Sequence, residues 1–322
     1  MNFLSFLRDD LRAGLALTPE EYRAKHSRWL LAQQRPEGGF ANRRGGADLY
    51  YTAFALRGIS ALGALTPDVA HKAGAFLKTM LQVPATERVR QPHGCFSDAV
   101  MAVSWWDSLF LCEETGGTIL SESERTAAIA TCGERLDTLR RDDGGWSKGD
   151  ADAAGSLYHT FLAACAYLRM DRPVPQAEKA DALLKTLTVP GGGFLENRFS
   201  RRPGTNGCAA ALGLAMIVGH EFNPEQQIAF LTDMVSPEGG FYATPAAPIA
   251  DLLSTYTGLF SLKLMGIADP LRVARALGYA RSLETDGGYT GFALETVVDC
   301  EYTFYGLGVE SIAHQVAAQL PR

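Results

Sequence analysis

A short glycine–aromatic element recurs at a nearly constant interval along this chain of 322 residues. The clearest copies read GGF, at 38–40, 192–194 and 239–241. The aromatic residues of the six copies are Phe40, Phe96, Trp146, Phe194, Phe241 and Tyr289. Neighbouring copies are 47 to 56 residues apart. A period of this length is typical of one supersecondary unit that is stacked several times.

Each unit has the same internal order: an apolar-periodic stretch, the glycine turn, a polar loop and a second apolar-periodic stretch. In unit one, Thr18 is the predicted N-cap, Pro19 takes the first helical position and Glu21 completes a capping box. The second helix of that unit is predicted over 48–62, before a terminal glycine. Similar helix starts are predicted at Thr66, Ser121 and Asn223. We therefore predict about twelve helices, two in each unit, and little strand.

The first helix of each unit carries more charge than the second, which is small and apolar. We predict an outer ring of first helices and an inner ring of second helices. The expected fold is all-α: a single-domain α6/α6 barrel over 1–322 with a central funnel. Its repeats span about 15–315, and residues 1–17 form a leader, either packed on the barrel or open to a partner. An open solenoid of the same units is the structural alternative.

Charge and cysteine usage exclude several classes of protein. The net charge of −6 and the lack of a basic, aromatic-rich cluster argue against nucleic acid as a partner. Six scattered cysteines without a CxxC pair indicate neither a zinc ribbon nor a redox motif. Charged residues interrupt the short apolar start, and no long uncharged apolar run follows. We therefore expect no transmembrane segment and a cytoplasmic location.

The six-unit barrel with glycine–aromatic turns resembles the β subunits of protein prenyltransferases and the related squalene and terpene cyclases. Three segments carry the resemblance: WLLAQQ at 29–34, DDGGW at 142–146 and TFYGL at 303–307. In that family the N-termini of the inner helices surround an aromatic funnel that holds an isoprenoid chain. The resemblance implies that the ligand is an isoprenoid or an isoprenoid diphosphate.

Aromatic residues near the predicted starts of the inner helices are the candidates for contact with such a ligand. Aromatic faces suit a polyene, and the ring quadrupole attracts a developing carbocation. The alternative is that these side chains only fill the barrel. The candidates are Tyr50, Tyr51, Trp105, Trp106, Tyr158, His159, Tyr256 and Tyr305.

The zinc site of the protein prenyltransferases is incomplete in this chain. The family's ligands are an Asp and a Cys two residues later in the fifth inner helix, and a His in the sixth. Asp251 occupies the acid position, but Leu253 replaces the Cys and Tyr302 stands in place of the His. We therefore expect no zinc here. His159 has no second ligand at suitable spacing, and we expect a neighbouring backbone group or tyrosine to satisfy it.

The cyclase branch of the family protonates its substrate with an aspartate of a DxDD-type motif that is followed by Thr. Asp299 and Thr303 keep this frame, and Glu301 stands in the place of the catalytic acid. Asp299 and Asp251, at predicted helix starts, are also expected as N-caps. That interpretation does not account for Glu301, which lies inside its helix. The catalytic candidates are Glu301, Asp299, Asp251 and Tyr302.

A diphosphate group would need cations, and Arg198, Arg201 and Arg202 supply them in the fourth unit. Arginine binds phosphate oxygens in a bidentate manner. The loop also precedes an inner-helix start, and helix N-termini favour anions. A solvated surface loop is the alternative. A diphosphate substrate would bring Mg²⁺ as the cofactor.

Three functions follow from these observations. The first is an isoprenoid-processing enzyme without the zinc site, which cyclises its substrate or transfers it to a non-thiol acceptor. The second is a non-catalytic member that binds an isoprenoid or a protein. The third is a β-type subunit that needs a helical partner subunit. A homo-oligomer is a further arrangement that this sequence allows.

Overall fold

The computed structural model describes residues 2–88 and 94–320, where regular structure is almost entirely helical. The helices are α1 (Phe3–Leu15), α2 (Glu20–Leu31), α3 (Leu49–Ala61), α4 (Pro67–Met80), α5 (Ala85–Arg88), α6 (Ala99–Gly116), α7 (Glu122–Thr138), α8 (Leu157–Arg169), α9 (Ala177–Leu187), α10 (Thr205–Val218), α11 (Pro224–Asp233), α12 (Leu252–Leu264), α13 (Pro270–Ser282) and α14 (Cys300–Ala318). Three antiparallel pairs of two-residue strands accompany them: β1 (Phe40–Ala41) with β2 (Ala47–Asp48), β3 (Phe241–Tyr242) with β4 (Ala250–Asp251), and β5 (Glu284–Thr285) with β6 (Gly288–Tyr289).

The second helices of the six units form a closed inner ring. Helices α3, α6, α8, α10, α12 and α14 each contact the next, and α14 contacts α3. The first helices α2, α4, α7, α9, α11 and α13 lie outside them. The predicted all-α barrel of six helical hairpins is therefore confirmed, and the contact between α14 and α3 excludes the open solenoid. Within the described ranges no helix combines the length and the hydrophobicity needed to cross a bilayer.

The glycine turns join each unit to the next. Gly38 has a φ of 96°, and a Cβ at this position would lie 1.9 Å from the carbonyl oxygen of Lys72 in α4. Only glycine permits both the left-handed backbone and the close approach to the neighbouring helix. Gly287 occupies the corresponding place in unit six and packs on Lys25 and Trp29 of α2. The same device therefore closes the ring between the last unit and the first.

A threonine bonds each of four glycine turns to the start of its inner helix. In unit six, the Thr303 hydroxyl donates to the carbonyl of Asp299 at 2.6 Å and accepts from the Tyr289 N–H at 3.1 Å. Both partners are buried, so the bonds satisfy backbone groups that water cannot reach. The equivalent residues of units one, three and five are Thr52, Thr160 and Thr255. These two bonds hold the first turn of each of the four inner helices in a fixed position relative to its glycine turn. They therefore fix where the first side chains of the helix lie along the barrel axis.

Helix α1 lies across the end of the barrel at which the inner helices finish. Lys263 of α12 pairs with Asp10 at 2.5 Å, and Ser311 of α14 donates to the carbonyl of Leu11 at 3.0 Å. Phe3 packs edge-on against Phe161 of α8, with the ring centres 5.2 Å apart. Because α1 covers this end, the N-terminal ends of the inner helices form the open mouth.

The predicted helix starts at Thr66, Ser121 and Asn223 are confirmed, each with the side chain accepting from its own first turn. The prediction for Thr18 is wrong. Its hydroxyl donates to the carbonyl of Leu15 at 2.7 Å, and α2 begins at Glu20 without a side-chain cap. The hydroxyl is used at the end of α1, a helix that the repeat pattern did not reveal.

Candidate active site at the barrel mouth

Asp299 and Arg43 connect unit six to unit one at the mouth. Asp299 is the N-cap of α14: one carboxylate oxygen accepts from the Tyr302 N–H at 2.8 Å. The other accepts from Nε of Arg43, on the β1–β2 loop, at 2.7 Å. Arg43 also pairs with Glu295 at 3.3 Å, and its guanidinium lies 5.5 Å from the ring centre of Tyr302. Burial raises the pKa of Asp299 although both contacts oppose the rise.

Glu301 follows in the first turn of α14 and is partly exposed at the mouth. The hydroxyl of Tyr50, from α3, donates to Oε1 of Glu301 at 2.7 Å. Burial raises the pKa of Glu301 to about 7, and the charge of Asp299 adds to this, while the Tyr50 hydrogen bond and Arg43 oppose it. The neutral and charged forms of this acid therefore coexist near neutral pH.

The N-cap interpretation of the aspartates at the inner-helix starts is confirmed for Asp48, Asp251 and Asp299. Asp251 uses both oxygens within its own turn: one accepts from the Ser254 N–H at 2.7 Å and the other from the Ser254 hydroxyl at 2.8 Å. Burial raises the pKa of Asp251 as well.

The residues at the family's zinc position do not suit the metal. Asp251 has no carboxylate oxygen free of hydrogen bonds, and the next positions carry Leu253 and Tyr302, of which leucine offers no ligand atom. Across the described residues, no group of three or more His, Cys, Asp or Glu side chains could hold a metal ion. No step through a zinc ion is derived for this chain.

A cluster of aromatic side chains fills the barrel between α3, α12 and α14. Its ring centres lie 5.0 to 6.1 Å apart, and four of the five rings are buried. Its members are Tyr50, Phe54, Tyr256, Phe304 and Tyr305. Tyr256 and Tyr305 are both buried in this cluster, and Tyr305 also hydrogen-bonds to the carboxyl of Glu301.

Accessible aromatic surface remains at the mouth itself, above this cluster. Tyr51 and Tyr302 are half-buried, and Tyr158 is 39% exposed. Protein atoms surround the hydroxyl end of Tyr158 although the side chain as a whole is partly exposed, and this burial together with the charge of Glu301 raises the pKa of Tyr158 to about 12, so Tyr158 and Glu301 lie close enough to interact. The tyrosines that can meet a ligand here come from units one, three and six.

The prediction that Trp105 and Trp106 line the funnel is corrected by their orientation. Helix α6 begins at Ala99, so both residues lie in its second turn rather than at its start. Trp105 is fully buried and donates to the carbonyl of Leu77 in α4 at 3.1 Å. Both rings pack on Phe96 of the glycine turn. They join the inner ring to the outer ring.

His159 lies at a separate pocket between units three and four. Its Nδ1 is 2.9 Å from the Ser156 hydroxyl, which in turn bonds to Glu196. The partner of His159 is therefore a serine hydroxyl, not the backbone group or tyrosine that we expected. The cavity measures about 290 Å³, and its walls include Lys148, Asp152, Ser156, His159, Asn197 and Phe199.

The three arginines of the fourth unit lie on the loop beside this pocket. Arg198 donates to the carbonyl of Ala153 at 2.8 Å, and its guanidinium lies 5.0 Å from the ring centre of Phe199. Arg201 and Arg202 are exposed. The structure therefore separates the predicted site residues into two groups, one around Glu301 and one around His159, with Tyr158 between them.

Sequence reasoning missed three residues of the mouth and the pocket: Arg43, Ser156 and Glu196. Arg43 stands next to Arg44 in a loop of the first unit, and its pairing with Asp299 joins the first unit to the last. Ser156 and Glu196 come from adjacent units, and burial raises the pKa of the Glu196 carboxyl. No local pattern connects residues that only the closure and packing of the ring bring together.

The barrel and its mouth define the chain as an α/α toroid of the kind used by isoprenoid enzymes. A family model, the prenyltransferase alpha-alpha toroid domain, matches residues 19–78 and 106–319, and the chain belongs to this family. No curated protein matches the sequence.

Three solved structures share the fold at low sequence identity. Candida albicans protein geranylgeranyltransferase-I, complexed with GGPP, is 15% identical, covers 72% of this chain and 73% of its own, and has a TM-score of 0.55. A wild-type glycosidase is 14% identical, with 96% and 98% coverage and a TM-score of 0.61. The type II terpene cyclase MstE from Scytonema is 15% identical, with 98% and 99% coverage and a TM-score of 0.58. At these identities the likeness concerns the fold alone.

Proposed function

We propose that the protein is an isoprenoid-processing enzyme. In this proposal an isoprenoid, or its diphosphate, binds at the aromatic mouth of the barrel, above the buried cluster, and the enzyme cyclises or transfers it. The observation that carries the proposal is the environment of Glu301: a partly exposed acid with a pKa of about 7, among tyrosines, at the open end of a barrel whose other end α1 covers.

The reaction would begin with a proton from Glu301. Tyr50 donates to Oε1 and Tyr305 also hydrogen-bonds to this carboxyl, so the reacting proton would be the one on the oxygen that meets the substrate, and it would pass to an alkene carbon or an epoxide oxygen. The faces of Tyr51, Tyr158 and Tyr302 would then stabilise the positive charge that develops on the chain. Asp299 is a positioning residue here, since it holds the first turn of α14 and the guanidinium of Arg43.

A diphosphate end would lie on the opposite side of the mouth. Around Glu301 the acidic side chains Asp299 and Glu295 already occupy Arg43, so a second anion would be repelled there. The arginines at 198, 201 and 202 belong to the loop beside the His159 pocket and offer guanidinium groups to phosphate oxygens. A chain of the same fold comes from the fungal protein geranylgeranyltransferase-I complexed with GGPP, which supports an isoprenoid of similar size.

Incubation of the purified protein with farnesyl and geranylgeranyl diphosphate, followed by mass spectrometry, tests the proposal. We expect a cyclised product or a transferred isoprenoid, and at least a hundredfold loss of turnover in Glu301→Gln. Glu225→Gln, on the exposed side of α11, is the matched control and should keep full activity. Full turnover in Glu301→Gln would refute the role of this acid. Tight binding without product would favour the non-catalytic member, and product formed only with an added helical subunit would favour the β-type subunit.

Hydrolysis of a glycoside is the second candidate. The fold shared with a glycosidase over 96% of the chain and the acid of pKa about 7 favour it. Glycoside hydrolysis generally uses two carboxyl groups on either side of the scissile bond. Asp299, the nearest carboxylate along the chain, is committed to Arg43 and to its helix N-terminus, which ranks this function second. Release of nitrophenol from nitrophenyl glucosides would reverse the order.

A further inference from the structure

The pocket between units three and four contains an acceptor atom without a donor. His159 is only 9% exposed, and its Nε2 has no hydrogen-bond partner among the described residues. The Ser156 hydroxyl donates to Glu196, so its lone pairs are available and Nδ1 of His159 carries the proton that it accepts. This fixes the tautomer: Nε2 carries the lone pair. Nε2 is open to the pocket rather than enclosed in the interior, so a donor group on a ligand can reach it.

The groups around the histidine keep it neutral. Burial lowers the pKa of His159, the carboxylates of Asp98 and Asp152 oppose this change, and the ammonium of Lys148 supports it. Glu196 does not contact the ring directly, because the Ser156 hydroxyl lies between them and donates to the Glu196 carboxyl. At neutral pH the imidazole is therefore a hydrogen-bond acceptor and a base, and a neutral donor such as a hydroxyl matches it better than an anion.

The order of the three side chains excludes a serine hydrolase. In a hydrolytic triad the histidine lies between the serine and the acid, so that it can take the proton of the serine. Here Ser156 lies between His159 and Glu196 and also accepts from the His159 backbone N–H as the N-cap of α8. Ser156 and Glu196 thus orient the imidazole ring, and Nε2 of His159 is left to contact a ligand in the pocket.

One side of the pocket is apolar, opposite the polar walls of Lys148, Asp152 and Asn197, and suits a molecule with an apolar body. Ala153, Ala154 and the ring of Phe199 line the cavity, and Phe199 is 66% exposed although it is a large hydrophobic side chain. The volume of about 290 Å³ exceeds the roughly 30 Å³ share of a single water molecule many times over. A small phenol or alcohol combines a hydroxyl for Nε2 with a hydrocarbon surface for these walls.

We propose that this pocket binds a hydroxyl-bearing second substrate, a phenol or an alcohol, whose O–H donates to Nε2 of His159. The proposal rests on the proposed function, because it supplies the nucleophile of that reaction. The link between the two sites is Tyr158, which interacts with Glu301 and Glu196 and whose ring contacts that of His159 edge-on at 5.4 Å.

The chemistry balances without an oxidant or a leaving group. Glu301 gives a proton to the polyene, and an electron pair of the hydroxyl oxygen forms a bond to the resulting cationic carbon. The O–H bond then breaks and its proton goes to Nε2 of His159. The product is an ether whose atoms are those of the isoprenoid plus the hydroxyl compound. The two environments push the pKa of Glu301 upward and that of His159 downward, as an acid and a base acting together require.

Calorimetric titration with phenol, and with toluene as the probe that lacks the hydroxyl, tests the binding step without any isoprenoid. We expect phenol to bind more tightly than toluene, and His159→Ala to weaken phenol by about tenfold while leaving toluene unchanged. Phe199→Ala, at an exposed site that folding tolerates, should weaken both probes. His71→Ala, on the outer surface of α4, is the control variant. Equal affinity for both probes, or unchanged phenol binding in His159→Ala, overturns the proposal.

Mass spectrometry of the reaction with geranylgeranyl diphosphate and saturating phenol tests the chemical step. A product whose mass is the sum of the two supports the proposal, and its loss in His159→Gln with isoprenoid binding intact supports the role of the base. A product with the mass of the isoprenoid, or of that mass plus water, overturns it while the proposed function stands. Phenol binding that depends on His159, without any isoprenoid product, supports the second site and refutes the proposed function instead.

Discussion

At the scale of single residues, the chemistry available at the mouth of the barrel depends on the protonation state of Glu301. Burial disfavours the charged form of this side chain. A glutamate with its ordinary pKa would be charged at neutral pH and could not donate a proton. Removal from water raises the pKa to about 7, whereas the hydroxyl of Tyr50 at 2.7 Å partly restores the charged form. The residue therefore combines a protonated form near neutral pH with a partly exposed side chain, which is what a general acid needs.

The same shift predicts a pH-dependent gain of stability in Glu301→Gln. The folded pKa of about 7 exceeds the model value of 4.5, so the folded state binds this proton more tightly than the unfolded state. The favourable contribution of wild-type Glu301 is complete below pH about 4.5 and is lost as the pH rises to about 7, a change of at most about 3 kcal/mol. Urea unfolding of both proteins from pH 4 to pH 8 measures the difference.

Glu225→Gln, at an exposed position of α11, controls for the replacement of glutamate by glutamine itself. Parallel stability curves for wild type and Glu301→Gln across the whole range would mean that Glu301 titrates like a residue in water. In that case the general acid assigned to Glu301 at the mouth would not exist.

Turnover should also fall as the pH rises through about 7, since the Glu301 carboxyl is then deprotonated.

At the scale of elements, the hydroxyl of each inner-helix threonine explains why the glycine–aromatic turn and the helix start recur together. The turn presents the N–H of its aromatic residue to the interior, and the threonine accepts from it while donating to the N-cap carbonyl. Units two and four have Ala102 and Cys208 at the same position, so the threonine bond is absent there. In units one, three, five and six the repeat therefore preserves a pair of hydrogen bonds between the turn and the helix start, in addition to the packing of the two helices.

Thr303→Val removes this bond without changing the volume of the side chain. The Tyr289 N–H would remain buried without an acceptor, so we expect a loss of about 1–3 kcal/mol in the free energy of unfolding. Thr186→Val is the matched control, because the Thr186 hydroxyl is exposed and bonds only a carbonyl of its own helix. Chemical denaturation compares the two. Equal effects at the two sites would argue against a structural role for the turn bond.

Helix α1 belongs to the folded barrel, and the leucine at its C-terminal end and a leucine just beyond it provide a test. Leu15 is fully buried, while Leu17, two residues on, is 50% exposed. Leu15→Ala should cost about 2–5 kcal/mol, because it removes buried methyl groups and leaves a cavity. Leu17→Ala should change the stability by less than about 0.5 kcal/mol. If both substitutions had the same small effect, α1 would be a loosely attached leader.

At the scale of the whole molecule, the sequence predicted the features that repeat in every unit. It did not predict the contacts that form only when the ring of units closes. The turns, the helix order and the N-caps at Thr66, Ser121 and Asn223 are local, so a single unit already contains their cause. The orientation of Trp105 depends on where α6 begins, and the pairing of Arg43 with Asp299 depends on the ring closing. These contacts join residues that are distant along the chain, and no spacing in the sequence encodes them.

The deepest contact of this kind is a charged triad inside the ring. Asp107 of α6 accepts from Arg57 of α3 at 2.6 Å and from Arg169 of α8 at 2.8 Å, and Arg169 also reaches Ser5 of α1 at 3.0 Å. Burial would raise the pKa of Asp107, but the two guanidinium groups outweigh it and hold this pKa below its usual range. One carboxylate therefore fixes three neighbouring inner helices and the helix that closes the barrel.

Asp107→Asn should be the most damaging single change considered for the barrel. It leaves two guanidinium groups in the interior without an anion, which costs about 3–5 kcal/mol. The cost comes from unpaired charge, so replacing all three residues with apolar ones (Arg57→Met, Asp107→Leu and Arg169→Met together) should restore most of the stability. Urea unfolding of the single and the triple variant separates the two contributions. A triple variant as unstable as Asp107→Asn would show that the triad stabilises the ring by its own attraction rather than merely by avoiding unpaired charge.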